Sequence, residues 1–446
     1  MSLVAGQSLV LSIDKPAAGG AMIGRAGGPV VLVRGAIPGE RVTARVERIG
    51  KGVVHACAEE ILEPSPDRRT SAMDVSCGGC LYSHVEYTRQ LTLKGEIVAD
   101  AMTRIGRLPT AAVPVTASRE DGYRLRARLH MSGGRIGFFR EGTHTLCDPR
   151  PTRQLLSATC DVLERVAAGL RSIGVQSGEI EVAESVDGSQ RALAIDLEQP
   201  VDPRTLAFLS AEDVSGIVLV RKGAPHPTRR RGAARRSSAP TRRPRHDDDR
   251  VTALTVAGSP FVGDTIDVEG RAMELRRHVL SFFQGNRFLL QPLVTHVLRF
   301  IGDGDEVADL YAGVGLFAVS AAISRNARVT AVEGHWWAEQ DLAANAASAG
   351  NVTPMHRSVE AYLAGSPPVP SIVVVDPPRT GLSSAALAGV VKLKAPQVLY
   401  ISCDAPTLAR DTRQLLDHGY ELRRLDAFDL FPNTPHVETV AHFARA

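Results

Sequence analysis

A chain of 446 residues, 44% hydrophobic and 23% charged, is too long for one ordinary core and implies two or three domains of a globular protein. No apolar run approaches the roughly 18 residues a membrane helix needs, and the start, MSLVAGQSLVLSIDKP, lacks the basic and long apolar regions of a secretion signal. The net charge of +3 conceals an asymmetry: residues 221–250 carry 11 Lys and Arg against 3 Asp, a local +8 that leaves the remainder at about −5.

Six cysteines (Cys57, Cys77, Cys80, Cys147, Cys160 and Cys403) are too few and too scattered for a disulfide framework. A reducing cytoplasm, with no membrane association and a monomeric chain, is therefore the expected setting.

In chain order, residues 1–63 read as short strands broken by glycine: QSLVLSI, GGPVVLVRG, ERVTARVERIG and GVVHACAEEIL. Strands packed so densely suggest a small β-barrel. PSPDR, Pro64 to Arg68, marks a boundary. Residues 64–275 read as a central α+β domain. A turn with two cysteines leads into a helix from about Val85 to Ile105, alternating strands surround a second helix near 154–172, and a basic linker occupies about 223–250. That Pro/Ser-rich basic run cannot bury apolar surface, so it is expected to be disordered, as an electrostatic arm for nucleic acid or as a plain solvated insertion.

Residues 276–446 change to strand–helix alternation, with strands EVADLYA, RVTAVE, SIVVVDPP, QVLYIS and ELRRLDAFDLF. Continuous apolar strands separated by helices mean a mainly parallel sheet covered on both faces. The fold class is thus α/β, a doubly wound Rossmann-like domain preceded by the small barrel and the α+β domain.

DLYAGVGLFA places Gly313 and Gly315 just after a strand and Ala318 in the helix that follows, the G-x-G-x-x-A pattern of a backbone turn open to a ligand. Glu333 ends the next strand, where an acid can take both hydroxyls of a ribose. Adenosine cofactors of two kinds, NAD and S-adenosylmethionine, satisfy this pattern equally. Further on, VVVDPPRTG ends a strand with Asp376 and a rigid proline lip, and Arg379 there suits a phosphate or a base.

Cys403 lies between the strand QVLYIS and the helix APTLARDTRQLL. A helix N-terminus favours thiolate, which would make the sulfur a nucleophile, whereas a lone buried cysteine is otherwise inert core. Glu438 follows a loop crowded by Pro432, Pro435 and His436, and an inward-facing acid there acquires a raised pKa and can act as a base.

FFQGN, DLYAGVGLF, AVEG, DPPRTG, YISCDAPTLARD and FPNTPHVETV occur in an order and spacing that resemble the RNA uracil-5-methyltransferase family. The likeness spans the C-terminal domain, and VRGAIPGERVTARV resembles the TRAM barrel that many members carry. It implies methyl transfer from S-adenosylmethionine to C5 of a uridine in ribosomal or transfer RNA, the former favoured. Cys403 would add to C6 as nucleophile, and Glu438 would accept the C5 proton. Gln284, Tyr311, Glu333 and Asp376 would contact the cofactor, with Gly313 and Gly315 lining its pocket. A target base that must reach the thiol implies flipping or a single-stranded loop.

Three departures accompany the likeness. Ala312 and Leu316 replace residues common around the first glycines, and Asp404 replaces an asparagine. Cys77, Cys80 and Cys147 match a C-x5-C-G-G-C pattern plus a distant cysteine, a [4Fe–4S] signature, but Ser71 stands at the first ligand position. A three-cysteine cluster, a metal-free remnant and a different metal all remain open. The competing functions are an NAD-dependent oxidoreductase and a non-catalytic RNA-binding protein; neither accounts for Cys403 together with Glu438.

Overall fold

The computed structural model describes residues 3–25, 28–222 and 251–445. The basic linker expected at about 223–250 lies outside the described residues.

Five strands, β1 (Ser8–Pro16), β2 (Met22–Arg25), β3 (Val30–Arg34), β4 (Arg41–Ile49) and β5 (Val53–Glu63), close into a barrel in the order β1-β2-β3-β5-β4. Alternation drives closure: Val42, Ala44 and Val46 of β4 point inward while Arg41 and Arg45 face out. β2 is too short to stand out as an apolar run in the sequence.

Helix α1 (Tyr87–Arg104) follows, and its Val98, Ala101 and Met102 pack with Ala405 and Ala409. The two-residue strand β6 (Val115–Thr116) follows. The central domain is built from β7 (Arg126–Ser132), β8 (Arg135–Phe139), β9 (Leu146–Cys147), α2 (Ser157–Ser172), β10 (Gly178–Glu184), β11 (Arg191–Leu197), β12 (Gly216–Lys222) and β13 (Val251–Gly258). Its seven strands run β13-β12-β11-β10-β7-β8-β9, and Val162, Leu163, Val166 and Leu170 of α2 fill the core beneath them.

A hairpin, β14 (Phe261–Val268) and β15 (Arg271–His278), turns Ile266, Val268, Met273 and Leu275 into the core of the last domain. That domain comprises α3 (Leu290–Leu298), β16 (Glu306–Leu310), α4 (Leu316–Arg325), β17 (Arg328–Glu333), α5 (Trp336–Ala346), β18 (Val352–His356), α6 (Val359–Ala364), β19 (Ile372–Val375), α7 (Ser384–Leu393), β20 (Gln397–Ser402), α8 (Ala405–Asp417), β21 (Tyr420–Phe428) and β22 (Glu438–Arg445). The sheet order is β18-β17-β16-β19-β20-β22-β21-β6, with β16 to β20 parallel and β22 antiparallel to both neighbours. Ile372–Val375 is buried throughout, because α3, α4 and α5 cover one face and α6, α7 and α8 the other. Five carboxyl ends of parallel strands therefore open on one edge, where such sheets bind ligands.

Candidate active site

Register places the chemistry along that edge. Leu310 pairs with Val332 and with Val375, so the residues that leave the sheet next, Tyr311, Glu333 and Asp376, stand side by side. Val375 in turn pairs with Tyr400. Ser402 pairs with Thr439, whose Oγ1 donates to the Ser402 carbonyl at 2.9 Å. One residue beyond that pair, on strands of opposite direction, come Cys403 and Glu438. A nucleophile and an acid 35 positions apart in sequence thus share one end of a ladder.

The turn after β16 is left-handed at three residues: Tyr311 (φ 63°), Gly313 (φ 56°) and Gly315 (φ 92°). A Cβ on Gly315 would stand 2.8 Å from Leu342, whereas one on Gly313 would meet nothing within 4 Å. Gly313 therefore lines open space beside Glu333, whose carboxylate accepts from the Gly313 N–H at 2.8 Å and the His335 N–H at 2.6 Å. Burial nevertheless holds the Glu333 carboxyl above its ordinary value. Beneath the turn lies Asp309, buried, with neither carboxylate oxygen in a well-formed hydrogen bond. Its pKa is raised well above normal by burial, then by Asp376. The open space at Gly313, beside the Glu333 carboxylate, offers room and an acceptor for the ribose of an adenosine cofactor. Sequence reading passed over Asp309, although an aspartate inside an apolar strand is itself a signal.

Gln284 arrives from the segment after β15 and donates from Nε2 to Asp376 Oδ2 at 2.9 Å. Its neighbours are anchored in the central domain and the last loop. Arg287 forms a buried ion pair with Glu184, and Asn286 Nδ2 donates to the Leu430 carbonyl at 3.1 Å.

The electrostatics at the ladder end are unusual. Burial, and then Asp376, raises the Glu438 pKa well above the ordinary value, while Arg379 opposes the shift. Asp376 rises to about 7 through burial, moderated by Gln284. The Cys403 thiol is pushed up to about 12, first by burial and then by Glu438 and Asp376, with Arg379 acting the other way. Burial and the two acids thus oppose the thiolate that the α8 N-terminus was expected to favour. Asp404 caps that helix, its Oδ1 accepting from the Thr407 N–H at 2.9 Å. Arg379 is the cation that favours the thiolate. His436 is held neutral, its pKa lowered to about 4 by burial and then by Arg379.

The remaining three candidates lie elsewhere. Cys77 and Cys147 form a disulfide across 6.0 Å between Cα atoms, and Cys80 is a buried free thiol. Two of three sulfurs are already bonded, a serine, Ser71, stands at the fourth position of the sequence pattern, and among the described residues no three His, Cys, Asp or Glu side chains are grouped to hold a metal ion. The residues do not fit an iron–sulfur cluster, and the expectation of fully reduced cysteines is corrected with it. Close sequence spacing pairs Cys77 with Cys80, but the β8–β9 hairpin, in which Phe138 pairs with Cys147, brings the distant cysteine up to Cys77.

Residues 369–446, which hold Asp376, Cys403 and Glu438, match the profile of the family described as tRNA (Uracil-5-)-methyltransferase. An uncharacterized RNA methyltransferase of Streptomyces avermitilis is 30% identical, over 98% of this chain and 98% of its own length. The 23S rRNA (uracil(1939)-C(5))-methyltransferase RlmD of Pseudomonas putida is 30% identical, over 98% of this chain and 94% of its own. The fold is shared with the crystal structure of Pyrococcus abyssi tRNA (uracil-54, C5)-methyltransferase in complex with S-adenosyl-L-homocysteine. The two superpose with a TM-score of 0.73 at 21% identity, over 97% of this chain and 99% of that one.

Proposed function

The chain belongs to the RNA (uracil-5-)-methyltransferase family, and we propose that it methylates C5 of a uridine through a covalent bond between Cys403 and C6 of the base. The arrangement that carries this reading is the pair Cys403 and Glu438, one step beyond the Ser402–Thr439 rung of β20 and β22.

S-adenosylmethionine, when bound, supplies an electrophilic methyl group. Glu333 would hold its ribose, the backbone at Gly313 and Gly315 would line its pocket, and Tyr311, Asp376 and Gln284 would complete the contacts. C5 of uracil is too weak a nucleophile to take a methyl group unaided. Addition of the Cys403 thiolate to C6 would break the C5=C6 π bond and place an electron pair on C5, which would take the methyl group as its bond to the sulfonium breaks, S-adenosylhomocysteine being the leaving group. Glu438, as carboxylate, then removes the C5 proton. The electrons of that C–H bond restore C5=C6 as the C6–S bond breaks and returns the thiolate. The raised pKa of Glu438 suits it to accept this proton, and Arg379 supplies the positive charge that favours the sulfur anion. Reaching a thiol at the sheet edge requires the base to leave its stack.

We read residues 276–446, which supply every strand of the eight-stranded sheet except β6, as a doubly wound, Rossmann-like methyltransferase domain. Residues 1–63 are then a TRAM-like RNA-binding barrel and 64–275 the central domain, in a monomer that works in the cytoplasm. Among the described residues no helix is long and apolar enough to cross a membrane. Ribosomal RNA is the favoured substrate, in keeping with the name of the Pseudomonas putida relative and with the barrel. An NAD-dependent reaction gives the Cys403–Glu438 pair no role. Incubating the protein with S-adenosylmethionine and either ribosomal or transfer RNA, then digesting to nucleosides for mass spectrometry, tests the reading. 5-Methyluridine is expected, chiefly from ribosomal RNA, and none from the Cys403→Ala variant. Methylation of another nucleoside, or none from either RNA, overturns it.

A further inference from the structure

The loop between β21 and β22, residues 429–437, delivers Glu438 to the site and is gripped by four separate parts of the chain. Asn433 sits at its centre in the left-handed region, φ 64°, a conformation uncommon outside glycine though more accessible to asparagine than to most side chains. Gln90 of α1 bonds it twice: Gln90 Nε2 donates to Asn433 Oδ1 at 3.0 Å, and Gln90 Oε1 accepts from the Asn433 N–H at 2.9 Å. Arg69 donates to the same Oδ1 at 2.7 Å, and the Tyr82 N–H donates to the Asn433 carbonyl at 2.8 Å. Both Gln90 and Asn433 are buried. One helical turn along α1, Lys94 pairs with Asp429 and donates to the Phe431 carbonyl at 3.0 Å. On the other side a Cβ at Gly20 of the barrel would stand 3.0 Å from Pro435.

None of these contacts is needed to close the sheet, since the β21–β22 ladder from Phe428–Glu438 onward supplies its own hydrogen bonds. They fix instead the path of the nine residues before Glu438. We propose that Asn433, held by Gln90 and Arg69, is a positioning residue that sets the Glu438 carboxylate against the C5 proton. The inference rests on the role given to Glu438 above. It separates the two halves of the reaction, because Cys403 stands between β20 and α8 and none of the hydrogen bonds that hold Asn433 reaches either element, although α1 packs on α8 further along its length. A slack clamp therefore leaves the carbon–sulfur bond free to form and retards its breakage.

The test follows the SDS-stable protein–RNA adduct in single-turnover reactions of the full chain with S-adenosylmethionine and uridine-containing RNA. Asn433→Gly removes the Oδ1 acceptor and tolerates the left-handed φ without strain. Adduct formation is expected at the wild-type rate, with release slowed on the order of 10- to 100-fold, the cost of a small misplacement of a reacting group. Glu438→Gln is expected to show the same accumulation more severely, and Asn433→Asp, which keeps the acceptor, to restore release. Should Asn433→Gly fail to fold, Gln90→Leu removes both Gln90–Asn433 bonds from the helix side, leaving the Arg69 bond, and carries the test. Release at the wild-type rate, or loss of formation and release in equal proportion, overturns the proposal. A wild-type chain that forms no adduct at all removes the covalent reading, and the clamp falls with it.

Discussion

Gln284 Nε2 donates to Asp376 Oδ2 at 2.9 Å across 92 residues of sequence, tying the segment after the β14–β15 hairpin to the carboxyl end of β19. The bond holds Asp376, partly buried, beside a buried acid, Glu438, and that pair dominates the electrostatics of the site.

Asp376 moves from an ordinary value of 3.8 to about 7 on folding. Across that interval the folded chain keeps a proton that the unfolded chain has released, so stability contributed here is lost as pH rises towards about 7. Asp376→Asn removes the ionisation. Its melting temperature is expected to exceed the wild type's at about pH 8 and to lose that advantage near about pH 4. Melting curves of the two proteins over this range check the claim; a difference independent of pH contradicts it.

Glu333 is expected to take two charge-assisted hydrogen bonds from a ribose. At roughly 1.5 kcal/mol or more each, their loss in Glu333→Gln weakens S-adenosylmethionine binding on the order of 100-fold. Titration calorimetry reads the dissociation constant. An unchanged value in a folded variant would place the ribose elsewhere.

Lys94 and Asp429 are fully buried as an ion pair. Lys94→Met strands the carboxylate and should cost about 3–5 kcal/mol of stability, whereas Lys94→Met with Asp429→Leu should recover most of it. Urea unfolding of the three proteins distinguishes this outcome from simple additivity of the two changes.

The Cys77–Cys147 disulfide closes a separation of 70 residues. Cross-links of that span stabilise by about 2–4 kcal/mol, so reduction or Cys77→Ser should lower the melting temperature by several degrees. Under denaturing conditions without reductant, thiol titration should find four reactive cysteines, Cys57, Cys80, Cys160 and Cys403. Iron and acid-labile sulfide should be absent; stoichiometric iron would restore the cluster.

Much of the site was legible because its signals are local. A glycine turn after a strand, an acid at the end of the next, DPPR and the strand–Cys–helix junction all lie within short windows, and parallel pairing aligns them on one edge. What escaped was long-range or depended on geometry. Gln90 and Asn433 are 343 residues apart, and nothing in either neighbourhood announces the other. The hairpin β14–β15 alternates like any exposed ribbon, yet its inward face belongs to the core of the parallel sheet. Proximity to a helix start likewise did not reveal that Asp404 caps the Thr407 N–H, nor that burial and two acids, Glu438 and Asp376, raise the pKa of the Cys403 thiol.

Uridine replaced by 5-fluorouridine in the RNA gives the most direct measurement, since Glu438 cannot remove fluorine from C5 as it removes a proton, and the adduct is arrested. With S-adenosylmethionine present, peptide mass spectrometry should locate the pyrimidine on Cys403, and Cys403→Ala should yield no adduct. A bond to any other residue, or 5-methyluridine made by Cys403→Ala at the wild-type rate, would contradict the covalent route.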